Sequence, residues 1–363
     1  MRNYLCLSID GLQSGMIGAY GNTWIQTPTL DSLACQSALF ERYYASTIDL
    51  TDAMRELWSP NCGYGSSPLL SPDYHKILLT DDDSVFTHEK ACIFDEKQRI
   101  EPKHRKRPAI KIEGTQLYHN IATLADLLRN RSSTPFIFWA HFNAFRHGSV
   151  WDFPMDYRER YQIDDDPAPY PGVAVPDVKW NKHSDPDIRQ AIAEAYSGGV
   201  AVLDDTLAGL LEFLQEEGLD RNTVLVFMSV RGFSLGEHGY IGANADLYGE
   251  NVHLALMIRF HDAANAGFRS HTLLQPRDIW HLMSTEELPD KPDDMHTSIN
   301  IGNDAIVNPD WLAYRRSFGT ELYVKPDDRW EANDVADRCS HAIEELFGSN
   351  DDNQHPQSSS ANG

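Results

Sequence analysis

The chain has 363 residues, 41% of them hydrophobic, so it can bury a sizeable core either as one large α/β domain or as two small ones. Its formal net charge of −23 argues against general binding to nucleic acid, anionic membranes or sulfated polysaccharides, because like charges repel at long range. A local pocket can still be positive. The basic segment 103–107 (KHRKR) lacks interleaved aromatic residues and is predicted to be a solvated loop.

The cysteines and the first residues bear on the compartment. The five cysteines are odd in number and scattered, with no CxxC spacing, which suits a reducing compartment. Residues 1–12 have an apolar part too short for a signal-peptide core and pass directly into a predicted strand. No run approaches the roughly 18 apolar residues of a membrane span. We therefore expect a soluble, cytoplasmic protein.

Buried strands alternate with amphipathic helices along the chain. Unbroken apolar runs of β-favouring residues, such as 224–228, predict strands buried on both faces, and apolar residues at steps of three and four predict helices. Thr27 and Pro28 give a helix start, an N-cap followed by proline at the first helical position. In chain order, the predicted elements are a strand at 4–9, a helix from 28, a strand at 76–80, a helix spanning 117–128, a strand at 136–141, a helix at 186–217, a strand at 223–229, a helical turn and a further strand within 247–259, a helix at 270–283 interrupted by Pro276, and a final helix at 335–347.

The organisation is that of one domain. We find no internal repeat and no second domain, so residues 1–348 are predicted to form a single α/β domain and 349–363 a disordered polar tail. Residues 148–187, rich in proline, aspartate and aromatic residues, are predicted to be a loop-rich excursion. The acidic triplet 81–83 is interpreted as a solvated turn.

In open α/β sheets, ligands bind just beyond the carboxyl ends of the strands, so the residues that follow each strand are the first functional candidates. Four stretches at or near these strand ends, taken together, match one known sequence pattern. They are GAYGN (18–22) followed by TPTLDSLA (27–34), HFNAFRHG (141–148), SVRGFSLGEHG (229–239) and LYGENVHLALMI (247–258).

These stretches resemble the sulfatase family of the alkaline phosphatase superfamily. The resemblance implies a three-layer α/β sandwich with a mostly parallel central sheet. The resemblance also implies the functional features of that family: a calcium site, a cysteine or serine converted to formylglycine as nucleophile, and sulfuric ester hydrolase activity.

The metal-ligand positions depart from the family pattern. The family places two aspartates after the first strand and two further ligands after the central strand, and these four positions read Asp10, Gly11, Val230 and Arg231 here. Calcium takes six to eight oxygen ligands, whereas valine offers no lone pair and arginine is a permanent cation. A monocation about 4 Å from a dication costs roughly 8 kcal/mol at an effective dielectric near 20. Asp10 is therefore the only retained ligand position, and no cofactor is predicted.

Arg231 itself has two interpretations. It can replace the lost cation by placing its guanidinium against Asp10, or it can point into solvent while Asp10 serves as a loop or helix-cap residue.

The nucleophile is also missing. The family motif places it near Leu50, and no cysteine of the chain is followed by x-Pro-x-Arg, so formylglycine cannot form. Thr47 or Thr51 could replace it in principle, since phosphatases of the superfamily use serine or threonine. An unactivated threonine is a poor nucleophile, however, and the activator in those enzymes is a metal ion.

Five basic residues are candidates for binding an anion. Arg146 occupies the position of the family histidine that contacts sulfate, and the full candidate set is Arg231, Arg146, His141, His147 and His253. The two histidines beside apolar strand residues, His141 and His253, can instead be satisfied core residues. Glu237 and His238 match the family motif and are expected to shape the loop.

Three functions remain open. The first is a protein with the sulfatase fold but no ester hydrolase activity, acting as a binding or regulatory partner. The second is a metal-free pocket in which the five basic residues hold an anionic small molecule such as a sulfate or phosphate ester. The third is an active hydrolase with a non-standard site, built from Asp10, Asp49 and Asp52 with Thr51, although Asp49 and Asp52 can equally cap a helix. The sequence identifies no protein partner.

Overall fold

A computed structural model describes residues 1–60, 67–131, 133–146, 148–242, 246–289, 291 and 294–351. His147 and residues 352–363 of the predicted tail lie outside these ranges. Within them, no helix is long and apolar enough to cross a membrane.

The fold is built on an eight-stranded sheet in which only one strand, β10, runs antiparallel to its neighbours. The strand order is β11-β2-β10-β7-β1-β5-β3-β4. The strands are β1 (Asn3–Asp10), β2 (Ala38–Tyr44), β3 (His75–Thr80), β4 (Glu96–Arg99), β5 (Phe136–Asn143), β7 (Thr223–Ser229), β10 (His253–Arg259) and β11 (Arg269–Ser270). The central strands β5 and β7 are mostly apolar and are buried along their whole length, as expected of strands covered on both faces.

Helices cover both faces of this sheet, which gives the predicted three-layer α/β architecture. The helices are α1 (Pro28–Cys35), α2 (Leu50–Leu57), α3 (Asp83–Phe86), α4 (Gln116–Arg129), α5 (Met155–Arg158), α6 (Pro186–Glu216), α7 (Gly249–Val252), α8 (Ile279–Thr285) and α9 (Ser340–Asp351). On one face, α1, α4 and α6 bury their apolar sides. On the other face, α2 and α8 pack on the sheet together with the carboxyl-terminal part of the chain.

Two small antiparallel sheets complete the fold. One consists of β6 (Val178–Lys179), β8 (Ser234–Leu235) and β9 (Tyr240–Gly242). The other consists of β12 (Ile299–Ile301), β13 (Ala305–Val307), β14 (Trp311–Arg316) and β15 (Gly319–Val324). The four-stranded sheet packs one face onto the main core and the other against α9. The sequence patterns did not predict it.

The excursion at 148–187 is fixed by a buried arginine. Arg158 is fully buried and donates hydrogen bonds to four backbone carbonyls, those of Trp151, Phe153, Tyr170 and Gly172. A buried guanidinium needs such partners, because N–H groups removed from water and left without hydrogen bonds would carry the full free-energy cost of their desolvation. The segment is therefore irregular but anchored to the domain.

Several predicted boundaries and environments need correction. The helix predicted at 270–283 begins only at Ile279, because Pro276 stands in a preceding 3₁₀ turn, and the last helix begins at Ser340 rather than 335. The acidic triplet is not a fully solvated turn. Asp81 is buried and accepts hydrogen bonds from Asn120 and from the Asn143 backbone.

The basic segment 103–107 is likewise only partly solvated. Arg105 is half-buried, and its guanidinium lies 3.1 Å from the carboxylate of Asp152, which is almost fully buried. Lys103 donates hydrogen bonds to the backbone carbonyls of Gly114 and Thr115. Arg107 remains exposed.

Candidate functional site

The strand ends bring Asp10 and Arg231 together. β1 and β7 are parallel neighbours, with Ile9 opposite Ser229, so the residues that follow them meet at one edge of the sheet. The Arg231 guanidinium donates two hydrogen bonds to Asp10, from Nε to Oδ1 at 2.9 Å and from Nη2 to Oδ2 at 2.5 Å. The predicted contact between these two residues is confirmed, and Arg231 does not point into solvent.

The pair is desolvated and charged. Asp10 is fully buried, and the Arg231 side chain is 11% exposed. Burial opposes ionisation of Asp10, but the charge and hydrogen bonds of Arg231 outweigh it and lower the pKa of the carboxyl group. Burial likewise opposes protonation of Arg231, and Asp10 outweighs it and raises the arginine pKa. The third guanidinium nitrogen, Nη1, donates to the Ile48 carbonyl at 2.9 Å, which ties the segment before α2 to the pair.

A second arginine fills the space beside Gly11. Gly11 has a φ of +83°, and a Cβ atom added to it would lie 2.7 Å from Cγ of Arg146 and 2.8 Å from Cβ of Phe145. No larger side chain therefore fits at position 11 while Arg146 keeps its place. Arg146 is 4% exposed and donates to the Gly232 carbonyl at 2.8 Å. Burial and the nearby Arg231 lower its pKa to about 10, which leaves it cationic at neutral pH.

Val230, the other replaced position, belongs to the core. Its side chain is 1% exposed and packs in the hydrophobic cluster that contains α2 and α8. Its backbone N–H donates to the Ile9 carbonyl at 3.0 Å, so the loop is held against β1 by main-chain bonds. The side chain is directed away from the ion pair and contributes nothing to a ligand set.

These residues do not fit a calcium ion. The one carboxylate at the four positions is already engaged by a guanidinium, a second guanidinium occupies the space beside Gly11, and Val230 is in the core. An oxygen-rich cage of six to eight ligands cannot be assembled from this set.

The candidate histidines are held as core or wall residues. His141 is fully buried, its Nδ1 lies 3.2 Å from the Ser8 hydroxyl, and burial lowers its pKa, so the ring is neutral at pH 7. His253 Nε2 donates to the Glu41 carbonyl at 2.6 Å, and its ring stacks on Tyr44. Burial lowers the pKa of His253 to about 3. Neither ring carries the positive charge that an anion would need, and His147 lies outside the described residues.

The candidate nucleophiles lie in the segment leading into α2. Thr47 Oγ1 accepts a hydrogen bond from the Asp49 backbone at 3.0 Å, and Thr51 is exposed in the first turn of the helix. Asp49 is the N-cap of α2, accepting from the Asp52 backbone, and Asp52 pairs with Arg55. The helix-capping interpretation of Asp49 is confirmed. Nothing in these contacts directs the two aspartates toward a common ion with Asp10.

One acidic cluster was not predicted from the sequence. Among the described residues, the one group of at least three possible metal ligands with all ligand atoms within 4.8 Å is His238, Glu250 and Glu331. His238 Nδ1 lies 3.0 Å from Glu250, and its ring stacks on Tyr248.

Glu331 already has three partners: the Lys325 ammonium at 3.1 Å, the Tyr314 hydroxyl at 2.9 Å and the Gly249 N–H at 3.0 Å. The cluster therefore joins the four-stranded sheet to the loop after β7. Glu237 also makes structural contacts, because its carboxylate accepts hydrogen bonds from the Gln13 side-chain amide and from the Leu235 backbone N–H. These contacts agree with the prediction that Glu237 and His238 shape the loop.

With this geometry established, comparisons with known proteins identify the family. The model of the family described as Sulfatase matches residues 82–285, which is more than half of the chain. The chain belongs to the sulfatase family. The matched region contains Arg146, Arg231 and the central strand.

Individual relatives agree with this assignment. Over 78 residues the chain is 35% identical to an N-acetylglucosamine-6-O-sulfatase of Bacteroides thetaiotaomicron. That stretch is 22% of this chain and only 14% of the relative. A solved structure of a protein in complex with its substrate D-glucosamine-2-N,6-O-disulfate has a TM-score of 0.75 at 16% identity and covers 97% of both chains.

The phosphonate monoester hydrolase of Agrobacterium radiobacter has a TM-score of 0.68 at 16% identity, covering 97% of this chain and 94% of that one. At such identities the structural matches establish the α/β fold with its large, mostly parallel sheet.

Proposed function

We propose that this sulfatase-family protein does not hydrolyse sulfate esters and has a binding or regulatory role. The observation that carries the proposal is the two-fold hydrogen-bonded ion pair between Arg231 and Asp10 at the strand ends. It places a permanent cation on the only carboxylate at the four positions where the family resemblance implies a divalent ion.

Removing a divalent ion from such a site would leave Asp10 as an isolated buried charge, which is costly without a partner. Arg231 supplies that partner and holds it in a bidentate geometry, the strong form of a guanidinium–carboxylate pair. The arginine thus stabilises the strand ends without offering an open coordination position. It cannot lower the pKa of a bound water or activate a hydroxyl, which is what a catalytic metal does.

The arrangement also lacks an activated nucleophile. Among the described residues, neither the Thr47 nor the Thr51 hydroxyl is hydrogen-bonded to a histidine, lysine or carboxylate: the Thr47 hydroxyl accepts from the Asp49 backbone, and His88 bonds only the backbone carbonyl of Thr51. An alcohol at its ordinary pKa needs such a base, or a metal, to attack an ester. Because Asp10, Arg231 and Arg146 are all nearly buried, a substrate would also have to displace protein groups to reach them.

Two measurements on the purified full-length chain test the proposal. Metal analysis after dialysis is expected to find far less than one calcium or magnesium per chain. Assays with aryl sulfates and aryl phosphates, each with calcium, magnesium or manganese, are expected to give no turnover above buffer.

Variants separate a genuine activity from a contaminant. A weak hydrolase activity that is lost in both Asp10→Asn and Thr51→Val would support the alternative hydrolase and contradict the proposal. An activity unchanged in both variants does not come from this site and leaves the proposal supported. Stoichiometric calcium in the wild type that is lost in Asp10→Asn would refute it directly.

A further inference from the structure

A separate cavity of about 400 Å³ lies at the edge of the main sheet. Its walls come from five parts of the chain: the turn at 18–21, the end of β2, the start of β10, the start of β11 and the loop that follows β15. Its volume falls within the range of small-molecule sites, roughly 300–1,000 Å³. The residues that line it do not include Asp10, Arg146 or Arg231.

The walls are basic in a strongly acidic protein. Four cationic side chains line the cavity and only one carboxylate, Glu41, does so; the cations are Arg42, Arg269, Lys325 and Arg329. The chain as a whole carries −23, so this concentration of positive charge is local. A cleft lined by one sign of charge raises the local concentration of the opposite ion.

Two of the four cations are neutralised within the protein. Arg269 Nη1 lies 2.6 Å from Glu41, and Lys325 Nζ lies 3.1 Å from Glu331. Glu41, the carboxylate in the wall, and Glu331, just behind it, are therefore both already paired.

The other two, Arg42 and Arg329, have no carboxylate within 4.0 Å among the described residues. Arg42 is 8% exposed and donates Nη1 to the Pro309 carbonyl at 2.6 Å, which leaves its charge uncompensated. Arg329 is half-buried, and its Nη2 is buried without a hydrogen-bond partner in the described part of the chain. The unmade hydrogen bond at Arg329 and the buried charge without a counterion at Arg42 are both unfavourable, so each guanidinium group favours an added anion.

Two neutral rings also line the cavity. Tyr44 and the half-buried His253 stack on each other with centroids 4.9 Å apart. Arg42, Arg329 and Lys325 line the same cavity as His253. Burial lowers the pKa of this histidine to about 3, so it presents a neutral surface for the body of an organic ligand.

We propose that this cavity binds a small organic phosphate monoester, with its phosphate between Arg42 and Arg329 and its organic part against Tyr44 and His253. A phosphate monoester carries about −1.5 to −2 at pH 7, which matches the two uncompensated arginines, and arginine is well suited to phosphate oxygens. A sulfate ester carries a single negative charge and leaves one guanidinium unmatched. The cavity exceeds what a bare phosphate ion would fill. This inference does not depend on whether the Asp10–Arg231 site hydrolyses anything, because the two share no residue.

Calorimetric titration of the full-length chain in EDTA with phenyl phosphate, inorganic phosphate and phenyl sulfate tests the proposal. Phenyl phosphate is expected to bind one per chain and more tightly than either other probe. Absence of saturable phenyl phosphate binding, or tighter binding of phenyl sulfate, overturns it.

Charge-neutral variants locate the site. Arg329→Gln is expected to weaken phenyl phosphate binding about tenfold or more, because a charge-assisted contact is lost, whereas Arg107→Gln makes the same charge change on an exposed residue and is expected to leave binding unchanged. Equal weakening by both variants would mean general electrostatics only and would overturn the site. Loss of binding in Arg231→Met with Arg329→Gln unaffected would place the anion at the ion pair instead.

A variant of opposite sign guards against simple misfolding. Glu41→Gln removes the only acidic group of the wall, so it is expected to strengthen phenyl phosphate binding severalfold. Weaker binding in a Glu41→Gln protein with an unchanged thermal melt would contradict the assignment.

Discussion

Two pairs of arginines in this protein differ in what neutralises them. Arg231 and its neighbour Arg146 lie in a closed site. The Asp10 carboxylate pairs with Arg231, and the Gly232 carbonyl accepts a hydrogen bond from Arg146. Arg42 and Arg329 line an open cavity and have no carboxylate partner among the described residues. The difference separates a pair whose contacts lie within the protein from a pair that faces an open cavity, and it is the second pair that we propose to bind an anion.

The largest expected effect comes from breaking the closed pair. Arg231→Met leaves Asp10 as an unpaired buried carboxylate and is expected to lower the free energy of unfolding by about 3–5 kcal/mol. Urea denaturation measures it, with Arg107→Met as the exposed control. The double variant Asp10→Asn/Arg231→Met should lose clearly less than the single variant, because no charge is left behind. A single variant as stable as its control would show that the pair does not stabilise the strand ends.

A second carboxylate at a strand end, Asp81, sharpens the contrast because it has no cation. Burial raises the pKa of Asp81 from its ordinary 3.8 to about 7, whereas Asp10 beside Arg231 has a lowered pKa. Since the folded state favours protonated Asp81, its contribution to stability is complete below pH 4 and is lost as the pH rises to about 7. Asp10 has the opposite sign, and its contribution is lost only as the pH falls.

The pH dependence is measurable. Through Asp81 the wild type is expected to lose at most roughly 4 kcal/mol of unfolding free energy between pH 4 and 7, and Asp81→Asn is expected to abolish this loss. Asp327→Asn, at an exposed site, should leave the pH profile unchanged. Denaturant midpoints across this range provide the measurement. Identical profiles for wild type and Asp81→Asn would mean that Asp81 is ionised throughout.

A smaller effect is expected at Gly11. Gly11→Ala places a Cβ atom at a positive φ and within 2.7 Å of Arg146, and is expected to cost about 1–3 kcal/mol. Gly209→Ala in α6, where a Cβ atom would meet nothing within 4 Å, should instead stabilise slightly. Thermal melts of the two variants compare them. A neutral Gly11→Ala would show that Arg146 moves aside easily.

The smallest effect on folding is expected in the open cavity. Arg329→Gln should change stability by less than about 0.5 kcal/mol, because no ion pair is broken and a poorly satisfied charge is removed. The same urea series measures it. A loss comparable with that of Arg231→Met would abolish the distinction between a structural and a binding pair.

The sequence was sufficient for the central sheet and for the contact between Arg231 and Asp10. Long apolar runs identify strands buried on both faces, and parallel neighbours bring the residues after them to one edge. The departure of positions 230 and 231 from the pattern that the resemblance implies is visible in the sequence, because valine and arginine cannot replace oxygen ligands.

Other features depend on contacts that no local pattern encodes. The strands of the carboxyl-terminal sheet span only three to six residues, and they are identified by their pairing with one another rather than by a local sequence pattern. Burial of Asp81 depends on Asn120 and Asn143, which are distant in sequence. The basic cavity is assembled from five separated segments, so none of its arginines stands out in the chain.

The packing of Arg146 over Gly11 has a consequence for how this protein could change. An aspartate restored at position 11 would meet the arginine, and a carboxylate restored at position 230 would be placed in an apolar core. Replacing Arg231 alone would strand Asp10. Each single substitution toward the ligands of the family pattern is therefore unfavourable on its own, and a metal site of that pattern would require several substitutions made together.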